Sequence, residues 1–276
     1  MKIKEILQKA ILGLEENGVE EATNLARMLL AFVLKKEKIY LVINQEEEVA
    51  KDKEEEFKKG IKRLLEGEPI QYIIGKQEFM GIDFVVDKRV LIPQPDTEIL
   101  VEKVIEICEK LKGPNILDLC TGSGAIAISL NKFLKEAEIT ASDISKDALE
   151  VAKTNDRQGK IHFIESNLFE NIEEKFNVIV SNPPYIKTEE IKILSKEVQN
   201  EPHLALDGGQ DGLKFYRKII KEAHKYLKPN GYLCLEIGED QKEEVIELIK
   251  EAKKYTDIQI YKDLGGNDRV IICNIK

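Results

Sequence analysis

Residues 182–185, with the sequence Asn-Pro-Pro-Tyr, carry the clearest chemical signal in the chain. They follow an apolar run at residues 176–180 that predicts a buried strand. Two consecutive prolines cannot continue a sheet ladder, because each lacks a backbone N–H and has a fixed φ. The strand must therefore end there, at the edge where open α/β sheets bind ligands. We expect this corner, Asn182, Pro183, Pro184 and Tyr185, to grip a planar group that bears an NH2, such as a carboxamide or the exocyclic amine of a base.

A glycine turn after another predicted strand suits a nucleotide-type ligand. It consists of Cys120, Thr121, Gly122, Ser123 and Gly124, and a predicted helix follows it. The two glycines allow the backbone to approach a ligand closely, and a helix amino terminus favours anionic or hydroxyl-rich groups. Asp143 ends the next predicted strand, where a carboxylate can accept both hydroxyls of a ribose. The same pattern fits an NAD fingerprint, so the turn alone leaves the nucleotide open.

Two further features favour a cationic ligand over a dinucleotide. Asp118 lies in the approach to the turn, where its negative charge would repel a pyrophosphate but suit a cation. Residues 258–263 and 269–275 predict two strands joined by a short glycine-bearing loop, which form a hairpin not expected of a dinucleotide-binding sheet. S-adenosylmethionine, a sulfonium with an amino-acid tail, satisfies both observations.

Alternating strands and helices from about residue 113 onward predict the sheet that positions these residues. Before the terminal hairpin, the candidate strands lie at residues 115–120, 138–143, 160–165, 176–181 and 232–237. The alternation indicates a parallel sheet with right-handed crossovers, and the hairpin requires one antiparallel strand. Residues 1–75 predict a small all-helical domain, residues 76–93 a β-hairpin linker, and residues 94–276 the domain that holds the site.

Composition limits the partners and the compartment. The net charge of −9 and pI near 5.2 argue against a surface built to neutralise nucleic-acid phosphates. The four cysteines and three histidines are scattered, which supports neither a disulfide framework nor a zinc site. No signal peptide and no membrane-length apolar run are evident. We expect a cytoplasmic protein with no metal, no membrane partner and no stable nucleic-acid partner.

Further motifs are spread along the whole chain. They are Gln-Tyr-Ile-Ile-Gly at residues 71–75, Phe-x-Gly at 79–81, Val-Leu-Ile-Pro-x-Pro-x-Thr-Glu at 90–98, Glu-Pro-x-x-Ala-Leu-x-Gly-Gly-x-Asp-Gly-Leu at 201–213, Leu-Glu-Ile-Gly at 235–238 and Asp-Arg-Val at 268–270. Together with the corner, they resemble the release factor glutamine methyltransferases, the PrmC/HemK family of class I S-adenosylmethionine-dependent methyltransferases. The resemblance covers essentially the whole chain, including the helical amino-terminal region.

The resemblance implies a fold and an activity. The fold is α/β, a Rossmann-like, mostly parallel seven-stranded sheet with an antiparallel strand in its C-terminal hairpin, plus helices that dock the release factor. The activity is methyl transfer from S-adenosylmethionine, with S-adenosylhomocysteine as product, to the glutamine side-chain amide in the Gly-Gly-Gln motif of peptide chain release factors. Such protein methylation modulates translation termination, and the enzyme is expected to be a monomer.

Carried over by position, the resemblance assigns roles to individual residues. Catalysis and substrate binding fall on Asn182, Pro183 and Tyr185, with Pro184 also on the substrate side. Cofactor contacts fall on Asp118, on Asn182 and on residues 120–124, the ribose carboxylate on Asp143, and an adenine-flanking position on Asn167 and Leu168.

Three positions depart from the family pattern, and one alternative activity remains. Cys120 replaces a glycine or alanine, Asn167 a common aspartate, and Gln94 the usual arginine between two prolines. Of these, Gln94 bears most on release-factor docking, because it removes a cation near the substrate entrance. The corner would also suit a nucleic-acid methyltransferase acting on adenine N6 or guanine N2, although the acidic composition argues against it.

Overall fold

The computed structural model describes residues 1–276, whose contacts divide into two units. The first unit comprises Met1–Gly75 together with Ser195–Asn200, and the second comprises Lys76–Leu194 and Glu201–Lys276. None of the helices combines the length and the apolar character needed to cross a membrane.

The first unit is a bundle of helices around its own apolar core. Its helices are α1 Ile3–Glu16, α2 Ala22–Leu34, α3 Lys38–Ile43, α4 Lys51–Leu65 and α5 Ile70–Ile74. The helices confirm the predicted all-helical character of residues 1–75, and the apolar faces of the long helices α1, α2 and α4 bury Leu14, Leu30 and Phe57. Helices α3 and α5 are too short for a 3.6-residue period to show in the sequence.

A short helix from a distant part of the chain completes the first unit. Helix α9, Lys196–Gln199, belongs to it by its contacts. The side-chain amide of Asn200, just after α9, donates to the carbonyl of Gly67 at 2.9 Å. The sequence analysis placed this segment in the 94–276 domain. A four-residue helix is too short to show a periodicity that would separate it from that domain.

The second unit contains a small hairpin and a seven-stranded sheet with helices. The hairpin is β1 Lys76–Phe79 and β2 Ile82–Val85. The sheet strands are β3 Asn115–Leu119, β4 Glu138–Asp143, β5 His162–Glu165, β6 Phe176–Ser181, β7 Leu227–Glu236, β8 Tyr255–Lys262 and β9 Asp268–Ile275. The helices are α6 Asp96–Cys108, α7 Ala125–Phe133, α8 Lys146–Asn155, α10 His203–Leu206, α11 Lys214–Ala223 and α12 Lys242–Ala252.

The strand order is β5-β4-β3-β6-β7-β9-β8, which confirms the predicted sheet. Strands β3 to β7 are parallel, and β9 runs antiparallel to both of its neighbours. The chain moves outward on one side from β3 to β5 and on the other from β6 onward. This reversal between β3 and β6 creates a crevice at their carboxyl ends, the usual ligand site of such sheets.

The strand register brings the predicted site residues to one level. Leu119 pairs with Ser142 on β4 and with Ser181 on β6. The next residue of each strand is therefore at the sheet edge, and these residues are Cys120, Asp143 and Asn182. Strand β7 begins five residues before its predicted start at residue 232 and includes a Pro-Asn-Gly run. A register shift opposite β6 accommodates that run, whose residue types otherwise indicate a turn.

Candidate active site

A cavity of about 570 Å³ opens at the carboxyl ends of β3, β4 and β6. Seven residues singled out from the sequence line it, namely Cys120, Gly122, Asp143, Asn167, Leu168, Asn182 and Pro184. These positions are up to 64 residues apart in the sequence and lie together because parallel strands end at the same edge of the sheet. The volume lies within the usual range of small-molecule sites, roughly 300–1,000 Å³.

The glycine turn has left-handed backbone at three positions. The φ angles are 61° at Cys120, 54° at Gly122 and 81° at Gly124. A Cβ at Gly122 would meet nothing within 4 Å, whereas one at Gly124 would lie 2.9 Å from the Ile128 side chain. Gly122 therefore leaves space for a ligand, and Gly124 allows α7 to pack closely.

Cys120 stands where the family usually has glycine or alanine, and the replacement has a cost in backbone energy although the side chain is small. A non-glycine residue in the left-handed region costs roughly 1–2 kcal/mol, so the backbone angle, rather than side-chain volume, explains why glycine suits this position. Burial raises the pKa of the Cys120 thiol. The sulfur is therefore protonated at neutral pH and is not poised as a nucleophile.

Asp118 lies beneath the turn. The sequence predicts that its carboxylate contacts a cationic ligand, and the geometry does not support a direct contact. Its side chain is 0% exposed and is absent from the cavity lining. Its Oδ2 accepts from the Thr121 hydroxyl at 2.6 Å and from the Ala127 N–H at 3.2 Å. Burial raises the pKa of Asp118 to about 7. Asp118 thus braces the turn, and two residues of the turn, Thr121 and Ser123, are buried and absent from the cavity lining.

Asp143 connects the turn to the end of β4. Its Oδ2 accepts from the Gly122 N–H and its Oδ1 from the Ser145 N–H, both at 2.9 Å. Burial raises the pKa of this carboxyl, and the backbone donors oppose the rise. A carboxylate offers about four acceptor positions, so the two that remain can serve a pair of ligand hydroxyls.

Residues after β5 form another wall of the cavity. Leu168 has a φ of 53°, and its carbonyl accepts from the Ser166 hydroxyl at 2.7 Å, which holds this strained conformation. The Nδ2 of Asn167 donates to Glu170 at 2.7 Å, and this bond orients the Asn167 carboxamide. The wall therefore offers one apolar and one polar side chain.

The corner is held in place by partners far away in the sequence. The Nδ2 of Asn182 donates to the Thr97 hydroxyl at 3.1 Å, and the Tyr185 hydroxyl donates to Glu236 at 3.5 Å. Gln241 donates through Nε2 to the Tyr185 carbonyl at 2.9 Å. Asn182 and Pro184 line the cavity, while Pro183 is buried and Tyr185 is half-buried beside it.

The motif at residues 201–213 packs against the corner. Ile186 and Asp207 form a parallel bridge, and a Cβ on Gly208 would lie 2.7 Å from the Tyr185 Cα. Glu201 accepts from the buried Ile92 N–H at 2.8 Å, which connects this motif to the loop before α6. Gln94, in the same loop, is exposed and donates to the Ile92 carbonyl at 3.0 Å.

Three supporting residues were missed at the sequence level. Thr97 and Glu236 lie within the motifs at residues 90–98 and 235–238, but those motifs alone do not indicate what either side chain does. Gln241 lies outside every motif and had no signal.

The strand order, the turn joined to Asp143 and the amide-bearing corner at the same level define a class I methyltransferase. A solved methyltransferase from Pyrococcus furiosus shares this fold, with a TM-score of 0.52 and 21% identity over 77% of this chain and 96% of that one. Residues 5–75 match the family model of the PrmC N-terminal domain, and residues 94–210 that of the methyltransferase small domain.

Curated relatives narrow the class to one family. The chain is 46% identical over 240 residues to the release factor glutamine methyltransferase of Clostridium acetobutylicum, covering 84% of each chain. It is 42% identical over 273 residues to the release factor glutamine methyltransferase of Buchnera aphidicola subsp. Schizaphis graminum, covering 98% of each. The chain belongs to the release factor glutamine methyltransferase family, whose methyl donor is S-adenosylmethionine.

The cavity fits that donor. Open space beside Gly122 would leave room for the amino-acid tail, and Asp143 would keep acceptor positions for the ribose. Leu168 and Pro184 provide apolar surface for a flat base.

Proposed function

We propose that this protein transfers a methyl group from S-adenosylmethionine to the side-chain amide nitrogen of the glutamine in the Gly-Gly-Gln motif of peptide chain release factors. The observation that carries the proposal is the position of Asn182. Its carboxamide lines the cavity level with Asp143 and already donates through Nδ2 to Thr97. Its oxygen is therefore the atom available to accept from a substrate amide.

On the cofactor side, each contact follows from the cavity lining. Asp143 would accept the two ribose hydroxyls, and Asn167 and Leu168 would flank the adenine. Cys120 and Gly122 would approach the amino-acid tail through their backbone, with Thr121, Ser123 and Gly124 maintaining the turn. When bound, the cofactor supplies an electrophilic methyl carbon on a positively charged sulfur.

On the substrate side, the protein must overcome the poor nucleophilicity of an amide nitrogen. We assign one amide N–H to the Asn182 oxygen and the other to the Pro183 carbonyl, with Tyr185 packed against the flat amide. Such alignment can contribute about 7–11 kcal/mol to lowering the barrier. The new N–C bond forms as the C–S bond breaks, and the S–C electron pair stays on sulfur. The nitrogen then loses a proton to water, so no general base is needed in the slow step.

We also propose how the chain is divided between recognition and chemistry. Residues 1–75 would dock the release factor, residues 76–93 would link the domains, and residues 94–276 would carry the transferase site. The enzyme would act as a cytoplasmic monomer without a stable nucleic-acid partner. The net charge of −9 supports the absence of a stable nucleic-acid partner, because proteins that bind nucleic acids usually carry a basic patch.

The test is methyl transfer from labelled S-adenosylmethionine to a bacterial release factor, with a variant factor that has alanine for the motif glutamine as control. Total RNA and genomic DNA serve as competing acceptors. We expect label only on the intact motif, located by mass analysis of the peptide. The Asn182→Ala variant should lose about 10²-fold or more in rate while binding S-adenosylhomocysteine normally. Label on nucleic acid, or full activity of that variant, would contradict the proposal.

A further inference from the structure

Three separate segments of the second unit contribute side chains to the wall of the cavity. They are residues 90–97, residues 182–186 and residues 201–208. The proposed chemistry uses only the second of them, which contains the corner. The other two belong to the motifs at residues 90–98 and 201–213, to which the proposed chemistry gives no role.

The first segment has few main-chain donors with which it can be held in place. Pro93 and Pro95 have no N–H, so only Ile92 and Gln94 carry N–H groups in this stretch. The Ile92 N–H is buried and donates to Oε2 of Glu201 at 2.8 Å. This bond joins the first segment to the third across 109 positions of the sequence.

Two further links close the three segments into a circuit. The Ile186 N–H donates to the Leu206 carbonyl at 3.0 Å, which joins the second segment to the third. The Gly208 N–H strengthens that link by donating to the Ile186 carbonyl at 2.8 Å. The hydrogen bond between Asn182 and Thr97 at 3.1 Å joins the second segment to the first. Each segment is thus tied to both of the others, and we call the three together the cavity ring.

We propose that Glu201 is a positioning residue for methyl transfer, because its carboxyl closes the cavity ring and thereby fixes the corner at residues 182–185 relative to the other walls of the cavity. The inference rests on the proposed function for its meaning in catalysis, whereas closure of the ring can be measured without activity. Glu201 is only 9% exposed and is absent from the cavity lining. It therefore acts through the segments that it joins and not by contact with a ligand.

The acceptor oxygen of Glu201, rather than its charge, carries this role. Burial raises the pKa of Glu201 to about 7, and the bond from the Ile92 N–H opposes the rise. A carboxyl group keeps an acceptor oxygen in both protonation states, so the bond to Ile92 persists on either side of that pKa. Glutamine also keeps an acceptor oxygen at this distance from the backbone, whereas methionine keeps the length of the side chain and loses the oxygen.

The ring is separate from most of the proposed cofactor contacts. Those contacts follow β3, β4 and β5, at Gly122, Asp143 and Leu168, and none of the hydrogen bonds that close the ring involves them. Opening the ring at Glu201 should therefore slow methyl transfer while leaving cofactor binding nearly intact.

The experiment compares three substitutions of Glu201 in the full-length protein. Glu201→Gln keeps the acceptor, and Glu201→Met removes it. Glu201→Asp withdraws the oxygen by one carbon and so opens the ring with a smaller change in the core, which provides a second test if the methionine variant does not fold. The matched control is Asp156→Leu. Asp156 is also 9% exposed and accepts from the buried Ile161 N–H at 3.0 Å, but it lies outside the ring and the cavity lining.

Single-turnover methylation of a saturating release factor is the first readout. We expect Glu201→Met and Glu201→Asp to lose about 10²-fold in rate, because a misplacement of about 1 Å can cost that much. Glu201→Gln should retain most of the rate, and the Kd for S-adenosylhomocysteine should stay within about threefold in all three. Asp156→Leu should lower the Tm without lowering the rate of the folded protein. Full activity of the methionine or aspartate variant, or equal losses in the glutamine variant or the control, would overturn the inference.

The second readout is hydrogen exchange at main-chain N–H groups, which needs no release factor. If the links form one circuit, Glu201→Met should speed exchange at Ile186 and Gly208 as well as at Ile92, and Glu201→Gln should behave as the parent protein does. Faster exchange at Ile92 alone would indicate an isolated bond and would contradict the inference. A parent protein that is inactive on release factors would refute the proposed function, and the exchange rates would still decide whether Glu201 closes the ring.

Discussion

Replacing Asp143 by asparagine tests the cofactor site most directly. In the parent protein, each carboxylate oxygen accepts one backbone N–H, from Gly122 and from Ser145, at 2.9 Å. The asparagine NH2 group must face one of these two donors, and it removes the acceptor that we assign to one ribose hydroxyl. The substitution therefore disturbs both the turn and the ligand contact without changing side-chain size.

The expected loss follows from the number of bonds affected. A hydrogen bond to a charged group contributes about 1.5–3 kcal/mol. One such bond to the ribose is lost and the other becomes neutral, so we expect a loss of roughly 2–3 kcal/mol in binding free energy. This corresponds to about a 30- to 150-fold rise in the Kd for S-adenosylhomocysteine.

Isothermal titration calorimetry of S-adenosylhomocysteine measures this Kd, and the matched control is Asp147→Asn. Asp147 lines the same cavity but is exposed, so the control removes the same charge without touching the turn. Because exposed charges are screened by salt, we expect the control to change Kd by less than about twofold. If Asp143→Asn bound within about threefold of the parent protein, the assignment of Asp143 to the ribose would be refuted.

Three further predictions concern the support of the site. Gln241→Met removes the donor to the partly buried Tyr185 carbonyl and the acceptor of the buried Gly238 N–H, so urea unfolding should show a loss of about 1–3 kcal/mol; an unchanged midpoint would contradict this. Gly208→Ala places a methyl group 2.7 Å from the Tyr185 Cα, so we expect a slower methylation rate with unchanged cofactor affinity, measured by single turnover and calorimetry. Burial raises the pKa of Glu201 from 4.5 to about 7, so the folded protein holds a proton that the unfolded chain releases. The contribution of Glu201 to the free energy of unfolding should therefore fall as the pH rises from about 4.5 to about 7 and stay constant above that. Glu201→Gln should remove this pH dependence of the free energy of unfolding. Parallel curves of unfolding free energy against pH for the parent protein and the variant would contradict the prediction.

The sequence predicts the sheet and the level of its site because both depend on local patterns. Apolar runs mark the parallel strands, and residues that follow such strands must meet at one edge. Asp143 and Asn182 could be placed on this basis alone. The turn at residues 120–124 was equally visible, because glycine spacing is a local signal.

The supporting residues could not be found in the same way. Thr97 is 85 positions away from its partner Asn182, and no local pattern reports a contact over that distance. For Asp118 the sequence predicts a contact that the structure does not support. Its position before the turn indicates ligand contact, whereas tertiary packing buries the side chain completely. Whether a polar side chain faces a cavity or lies beneath it depends on the neighbouring helices, here the N–H of Ala127 in α7.

The order of the last two strands has a consequence for synthesis on the ribosome. Strand β8 pairs only with β9, and β9 lies between β8 and β7. A nascent chain that has exposed β8 therefore has no sheet partner for it until β9 follows. The edge of the sheet cannot grow strand by strand, and Glu236 on β7 gains its β9 partner, Val270, only when β9 has been added. Cotranslational folding of the second unit should thus end in one late cooperative event, in which the corner at residues 182–185 and the sheet edge are completed together.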